Sequence, residues 1–457
     1  MAGVLPSNVS YFMSRMQGVS SSHFKIFAQS SDTATSGKII RFELPSNALI
    51  NTRSIRFLAN AECKGASTGG RLPNKFDSLI SRVAVYMGGV LVQNNFNDYH
   101  LLRHAKDALT GDKCHPTLGH PEIVRAKSYH TGGAALTGTN PEVITDKDDQ
   151  LCIDYFDGLL GSIEPSIIDT GLLPQITLEF TLADDAVCPS VAGITEAFGG
   201  VDGSNGTIDK FSGVATTYEL TNLSVQVEVL GMATSVLEEI QEARISQVGY
   251  LSLPFKNYHT SASRHTTNSR FSVNSASWDR LWLVYRPTNY ASPAGAKLIN
   301  GYVGKIGGGA TAAPQYDTHG VFDTNKEKYT SNYFNMKQVL TDSSIPAFYQ
   351  LQVNGASVPA YRMNTPEAFA MSMNSVDGRK NPNLTLDQYK NNYMVQCFRF
   401  CLPDSDFSRL ASGLDTRSTS AQCSLDTENV KECNLTIFAE STAELRVGAG
   451  RSIEVIG

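Results

Sequence analysis

The sequence lacks the long apolar runs and the clusters of positive charge that mark several classes of protein. No window approaches the ~20 apolar residues of a membrane-spanning helix. The start of the chain has no basic segment followed by an apolar core, so we expect no secretory signal peptide. The first thirty residues carry only Arg15 and Lys25, and the net charge of the chain is −6. Because an acidic surface repels phosphate, we expect no direct, sequence-specific binding of nucleic acid.

The eight cysteines include no C-x-x-C pair, and in a chain of this size they need not form a disulfide framework. Cys397 and Cys401 fall in a predicted strand, which would place them roughly 13 Å apart on one face. That separation suits neither a disulfide nor shared metal binding. We therefore predict reduced, buried thiols.

The composition is that of a globular protein of more than one domain. Hydrophobic residues make up 41% of the 457 residues and charged residues 18%, which supplies ample apolar surface to bury and argues against disorder. A chain of this length exceeds one compact core, so two or three domains are expected.

The clearest local pattern runs from Ser81 to Gln93. Apolar residues alternate with other residues on both sides of Gly88-Gly89. Two period-two segments around such a pair predict a β-hairpin, because glycine adopts the positive φ of a tight turn. A short helix is predicted to follow, from Asp98 to Leu109.

The same pattern returns in the second half of the chain. Residues Tyr349 to Pro359 alternate in the same way around Asn354-Gly355, which is a strong hairpin signal. A second short helix is predicted from Pro366 to Met373. The order strand, strand, hairpin, short helix, long loop and strands therefore occurs twice.

This repetition predicts an all-β protein with two tandem β-sandwiches, short helices and long loops. We predict an N-terminal arm over residues 1–36, a first sandwich over 37–243 and a second over 244–457, with a long insertion near 287–346. Jelly rolls of eight strands are the sandwich type found in capsids and lectins. Periodicity alone does not distinguish a jelly roll from another sandwich.

Two sequence patterns resemble catalytic or metal-binding motifs, but the residues around them do not match those motifs. Ser67 lies in a G-x-S-x-G match, but a loop follows it where a nucleophile elbow needs a helix. His100 and His104 are one helical turn apart and could share a metal, yet the H-E-x-x-H arrangement is missing. Packed or solvated histidines are the better interpretation. The same holds for the nearby residues Cys114, His115 and His120.

Other polar and glycine-rich segments are equally weak signals. Asp146, Asp148 and Asp149 fail the EF-hand spacing because Leu151 stands where glycine belongs. Gly304 to Gly309 lacks the strand and helix that flank a phosphate-binding loop. The sequence thus assigns no catalytic, cofactor-binding or metal-binding residue, and it predicts a protein that is not an enzyme.

The duplicated pattern resembles the double jelly-roll major capsid proteins of the adenovirus-like lineage of double-stranded DNA viruses. Within that lineage it is most similar to the capsid proteins of Polinton-like viruses and virophages. The segments that carry the resemblance are Arg82 to Val92, Ser277 to Arg286, Phe348 to Pro359, Ser412 to Arg417, and Phe438 to Val455.

The resemblance implies a fold of two eight-stranded jelly rolls and a structural role in the virion. Capsid proteins of this kind form homotrimers whose six jelly rolls make a pseudo-hexameric capsomer of an icosahedral shell. The implied partners are the protein itself, neighbouring capsomers, and penton and minor capsid or cement proteins, with no cofactor. The expected location is the virion, after assembly inside the host cell.

Two other functions remain open at this stage. Jelly rolls also occur in carbohydrate-binding and fibre proteins, which would need an exposed aromatic platform or a calcium site. A hydrolase that uses Ser67 is the second alternative.

Overall fold

The computed structural model describes residues 20–64, 73, 76–93, 97–110, 149–188, 217–231, 245–288, 290, 332–334, 336–337, 339–376, 384–402, 412–417 and 421–457. Strands dominate these residues and pair in antiparallel sheets. Within them, no helix is long and apolar enough to cross a membrane.

Strands of the first half of the chain build one sandwich. Their bounds are β1 Ser20–Phe27, β2 Thr33–Thr35, β3 Ile39–Glu43, β4 Leu49–Lys64, β5 Ile80–Met87, β6 Val90–Gln93, β7 Asp149–Ile153, β8 Ile167–Asp169, β9 Ile176–Leu182 and β10 Thr217–Gly231. One sheet has the order β1-β10-β4-β7, with β2 paired to β10 and β8 paired to β4, and the other has the order β3-β9-β5-β6.

Strands of the second half build another sandwich. Their bounds are β11 Tyr250–His265, β12 Asn268–Val273, β13 Trp278–Arg286, β14 Phe348–Val353, β15 Ala356–Asn364, β16 Val395–Arg399, β17 Ala421–Glu428, β18 Cys433–Gly448 and β19 Ile453–Ile456. The sheets have the orders β11-β18-β13-β16, with β19 paired to β18, and β12-β17-β14-β15.

The two sandwiches share one topology. Setting aside the short strands β2, β8 and β19, the first, eighth, third and sixth strands of each half form one sheet. The second, seventh, fourth and fifth form the other. Two four-stranded antiparallel sheets in this order are a jelly roll, so the chain is a double jelly roll. The prediction of two tandem all-β jelly rolls is confirmed.

Aromatic residues fill the space between the two sheets of each sandwich. In the first, the rings of Phe42 on β3 and Phe57 on β4 meet edge to face with centroids 6.0 Å apart. In the second, Tyr285 on β13 meets Tyr349 on β14 at the same separation. These contacts join opposite sheets, as the alternation of apolar residues in the strands requires.

The helices lie between strands. Among the described residues they include α1 Tyr99–Thr110, α2 Leu159–Ser162, α3 Thr365–Ser375 and α4 Leu386–Asn392. The helix that we predicted after each hairpin is present, as α1 and α3. Asn364 caps α3 through a reciprocal pair of hydrogen bonds with Glu367, and Pro366 lies in the first turn, where a missing N–H costs nothing.

Part of the segment that we predicted as an N-terminal arm forms strands. Residues 20–27 form β1, which pairs with β10 from Ser20↔Gly231 to Phe27↔Ser224, and β2 pairs with the same strand. The sequence pattern did not indicate these strands, because their residues are mostly polar. Strand β1 is mostly exposed and is held by backbone hydrogen bonds rather than by an apolar face. Residues 1–19 lie outside the described residues, as does most of the segment between the two sandwiches.

Candidate functional site: the joint between the two sandwiches

Helix α1 buries polar residues as well as its apolar side. Leu101, Leu102 and Ala105 pack into the core of the first sandwich. Arg103 and His104 are also buried, although their side chains carry polar groups. The helix contacts β5 of its own sandwich and β16 of the other. Helix α1 therefore packs between the two sandwiches, at the interface that we call the joint.

Arg103 is held by carboxylates of the first sandwich. Its Nε lies 2.9 Å from Asp77 Oδ2, and its Nη1 lies 3.2 Å from Asp157 Oδ2. Burial disfavours the charged guanidinium, but the charges of Asp107, Asp77 and Asp157 outweigh it and raise the pKa of Arg103 well above its usual value. A buried cation is tolerated only when it is paired in this way.

Lys106 links the first sandwich to the second. Its Nζ lies 2.8 Å from Asp157 Oδ1 and 2.5 Å from the hydroxyl of Tyr258, which belongs to β11 of the second sandwich. The same ammonium lies 4.5 Å from the centre of the Tyr258 ring. One side chain thus makes an ion pair on its own sandwich and a hydrogen bond with the other.

Hydrogen bonds of backbone N–H groups also join the two sandwiches. The Glu164 N–H donates to the carbonyl oxygen of Pro254 at 3.0 Å. The Lys256 N–H donates to Ser162 Oγ at 2.7 Å, which ties the end of α2 to β11. Strand β11 is therefore fixed against the first sandwich at more than one point along its length.

The second sandwich presents its own buried charges next to Tyr258. Glu440 on β18 pairs with Tyr258 in the sheet register. It accepts hydrogen bonds from Arg280 Nη1 and Trp282 Nε1, both at 3.0 Å. Burial opposes its ionisation, but the charges of Arg280 and Lys106 outweigh it and lower the pKa of Glu440 to about 2. We call the set Asp77, Arg103, Lys106, Asp157, Tyr258, Arg280 and Glu440 the ionic joint.

The two histidines of α1 pack against the ring of Phe334. The His104 ring stacks on Phe334 with centroids 4.0 Å apart, and its Nε2 lies 2.8 Å from Ser78 Oγ. His100 also contacts Phe334, and burial lowers its pKa to about 3. The described residues contain no group of three side chains that could hold a metal ion. Cys114, His115 and His120 lie outside them.

One buried constellation that sequence reasoning missed resembles part of a catalytic triad. His265 Nδ1 lies 2.6 Å from Ser269 Oγ, and its Nε2 lies 2.7 Å from Thr427 Oγ1. Both ring nitrogens are bound to hydroxyls, so neither is left for the carboxylate that orients a triad imidazole. His265 is fully buried, and burial lowers its pKa. This arrangement stabilises the core and offers no access to a substrate.

Neither Cys397 nor Cys401 forms a disulfide, and the first is buried whereas the second is half-buried. Burial raises the pKa of Cys397, which keeps its thiol protonated and unreactive. Asp149 is the first residue of β7. Ser67, Asp146, Asp148 and Gly304 to Gly309 lie outside the described residues.

An apolar groove of about 520 Å³ opens where the two sandwiches meet near the start of β11. Its walls include Ile167 and Leu172 of the first sandwich and Leu253 and Val447 of the second. The ion pair and the hydrogen bond that Lys106 makes across the ionic joint hold the two sandwiches in one orientation.

No protein-family profile matches this sequence, and no curated protein matches it. Solved structures do match over almost the whole chain. The capsid of PBCV-1 virus aligns with a TM-score of 0.55 and 15% identity, over 97% of this chain and 98% of that one. PBCV-1 VP54, as fitted into a cryo-EM reconstruction of the virophage Sputnik, aligns with a TM-score of 0.57 and 13% identity, over 97% of this chain and 98% of that one.

The major capsid protein of Faustovirus aligns at a TM-score of 0.54 with 9% identity, over 100% of this chain and 93% of that one. Identities this low establish a shared fold and nothing finer. The match extends across both sandwiches and the joint between them, so the likeness concerns the double jelly roll as a unit.

Proposed function

We propose that this protein is a major capsid protein, which forms homotrimeric, pseudo-hexameric capsomers that tile an icosahedral shell around a double-stranded DNA genome. The observation that carries the proposal is the repetition of one jelly-roll topology in a single chain, with the two copies fixed to each other by the ionic joint. Three such chains place six similar sandwiches around one axis, so a three-fold object fills a position with six neighbours.

The charge balance and the site chemistry support a structural role. An acidic chain does not condense DNA by itself, so the genome would be packaged by other components. The proposed partners are other copies of this protein, neighbouring capsomers, and penton and minor capsid or cement proteins. The proposed location is the virion, after assembly within the host cell.

We further propose that the sandwiches divide the chain at residues 243 and 244. This boundary falls between Gly231, the last residue of β10, and Tyr250, the first residue of β11. Strands β1 and β2 belong with the first sandwich, which leaves residues 1–19 as the candidate arm.

The test is the mass of the protein in dilute solution, measured by size-exclusion chromatography with light scattering. We expect a stable species at three times the 49.6 kDa chain mass, and electron microscopy of that species should show a pseudo-hexagonal outline. A monodisperse monomer would contradict the proposal and would favour a carbohydrate-binding or fibre protein, which a glycan array would then test.

A further inference from the structure

Two arginines of β13 are buried on the same face of the second sandwich, but only one of them has a counter-charge. Arg280 is 6% exposed and Arg286 is 2% exposed, and residues an even number of positions apart in a strand share a face. Arg280 Nη1 lies 3.0 Å from Glu440 Oε1. Among the described residues, no carboxylate lies within ion-pair distance of Arg286. Because buried charges are normally paired, Arg286 lacks the compensation that a buried cation needs.

The guanidinium of Arg286 leaves two of its nitrogen donors unused. Its Nη2 donates to Thr436 Oγ1 at 3.1 Å. Its Cζ lies 3.8 Å from the centre of the Tyr290 ring and 5.1 Å from that of Tyr333. Burial raises the pKa of Tyr333 to about 12, so the hydroxyl beside Arg286 is neutral. Within the described part of the chain, Nε and Nη1 are buried without a hydrogen-bond partner.

His100 brings a second unused donor to the same place from the first sandwich. It is buried, and neither ring nitrogen has a hydrogen-bond partner among the residues that the structure describes. Its ring centre lies 5.2 Å from that of Tyr333, so His100 and Arg286 lie against the same tyrosine. Burial and the charge of Arg286 lower the pKa of His100 to about 3. The imidazole is therefore neutral and offers one N–H donor.

A nearby carboxyl group limits the charge that this place can accept. Asp98 directly precedes α1 and is half-buried. Burial raises its pKa, and the charge of Arg286 offsets this effect only in part. Asp98 is thus close enough to influence a charge at Arg286, and it would repel a dianion such as phosphate more strongly than a monovalent anion. Water could satisfy the free N–H groups, but it would not neutralise the guanidinium.

We infer that Arg286 and His100 form a binding site for a small monovalent anion, such as chloride, in the joint between the two sandwiches. Arg286 supplies the positive charge and the free N–H groups, and the His100 N–H donates from the other sandwich. The bound anion therefore ties the two halves together. An anion that binds only the folded chain stabilises it, and the effect grows with the anion concentration. The inference does not rest on the proposed capsid function, because the site belongs to a single chain.

The first experiment follows the thermal midpoint by circular dichroism, after dialysis to remove chloride. Equal concentrations of sodium chloride and sodium gluconate are compared, since gluconate is monovalent but much larger. For the wild type, we expect the midpoint in chloride to rise above that in gluconate as the concentration increases. Arg286→Gln should lack this rise. A wild type without a chloride-specific rise, or an Arg286→Gln variant with the same rise as the wild type, would overturn the site.

The matched control is Arg362→Gln. Arg362 lies on β15 and its side chain is more than half exposed. This variant loses one positive charge at the surface, so it should keep the chloride response of the wild type. Loss of the response in Arg362→Gln as well would show a general effect of net charge and would contradict a site at Arg286.

His100→Leu tests the contribution of the first sandwich. The substitution removes the N–H donor and keeps an apolar side chain against Tyr333. A hydrogen bond to a charged group contributes enough that its loss should raise the chloride concentration needed for a given stabilisation about tenfold or more. An unchanged chloride dependence would overturn a site built from both sandwiches.

A measurement on the wild type covers the case in which the variants fail to fold. Crystals grown in sodium bromide should show an anomalous diffraction peak in contact with the guanidinium of Arg286 and the ring of His100, because bromide replaces chloride and scatters anomalously. Ordered water at this position, or a carboxylate of the chain itself against Arg286, would overturn the inference.

Discussion

At the scale of single residues, this protein keeps several charged side chains in its interior. Glu440 remains ionised there because Arg280 and Trp282 donate hydrogen bonds to its carboxylate and because nearby cations outweigh the effect of burial. Removing one partner of a buried pair leaves a charge without compensation, whereas exposed pairs are screened by water. Burial therefore decides which ion pairs matter for stability.

Glu440→Gln should lower the free energy of unfolding by about 3–5 kcal/mol, because Arg280 would keep its buried charge without a counter-charge. Glu428→Gln is the matched control, since Glu428 pairs with Arg362 at 2.9 Å while both side chains are more than half exposed. It should cost less than ~1 kcal/mol. Denaturant titration followed by circular dichroism measures both, and equal losses would contradict the assigned role of burial.

At the scale of elements, the two hairpins use the same turn in different surroundings. Gly88 and Gly89 have φ values of 59° and 82°, and Asn354 and Gly355 have values of 50° and 80°. Two successive positive φ angles define the turn that matches the twist of paired strands. A Cβ at Gly88 would lie 2.8 Å from Pro174 Cβ, whereas a Cβ at Gly355 would meet nothing within 4 Å.

Gly88→Ala should therefore destabilise the protein more than Gly355→Ala. The second substitution meets only the backbone strain of the left-handed conformation, about 1–2 kcal/mol. The first adds a steric clash with the ring of Pro174. Thermal unfolding of the two variants beside the wild type measures the difference, and a Gly355 variant that is the less stable of the two would contradict this account.

At the scale of the whole molecule, the ionic joint links the stability of the two sandwiches to pH. Glu440 titrates at about 2 in the folded protein, against 4.5 for an ordinary glutamate. A carboxyl group whose pKa is lower in the folded state than in the unfolded state stabilises the fold at pH values above the unfolded pKa. That contribution is lost as the pH falls through the folded pKa.

We expect the difference in thermal midpoint between wild type and Glu440→Gln to be constant above pH 4.5 and to shrink as the pH falls towards 2. Circular dichroism melts at intervals across this range measure the difference. A difference that is the same at every pH would show that the lost stability comes from packing rather than from the charge of Glu440.

Much of the local structure could be predicted from the sequence, since both hairpins, α1, α3 and the strands with clear alternation lie where their residues indicate. Strand β1 could not, because it is an edge strand whose exposed residues show little alternation of polarity. The ionic joint was also missed. Arg103, Lys106 and Glu440 look like solvated surface charges, and the sequence gives no sign that the second sandwich covers them.

By itself, the sequence determined that this protein is a duplicated all-β chain, because period-two alternation and turn residues act over a few neighbouring positions. Only the tertiary structure decided how the two copies sit together and which charges are buried between them. Those contacts join residues such as Lys106 and Tyr258, which are 152 positions apart. Their energy depends on burial, and burial is a property of the packed molecule rather than of any short segment.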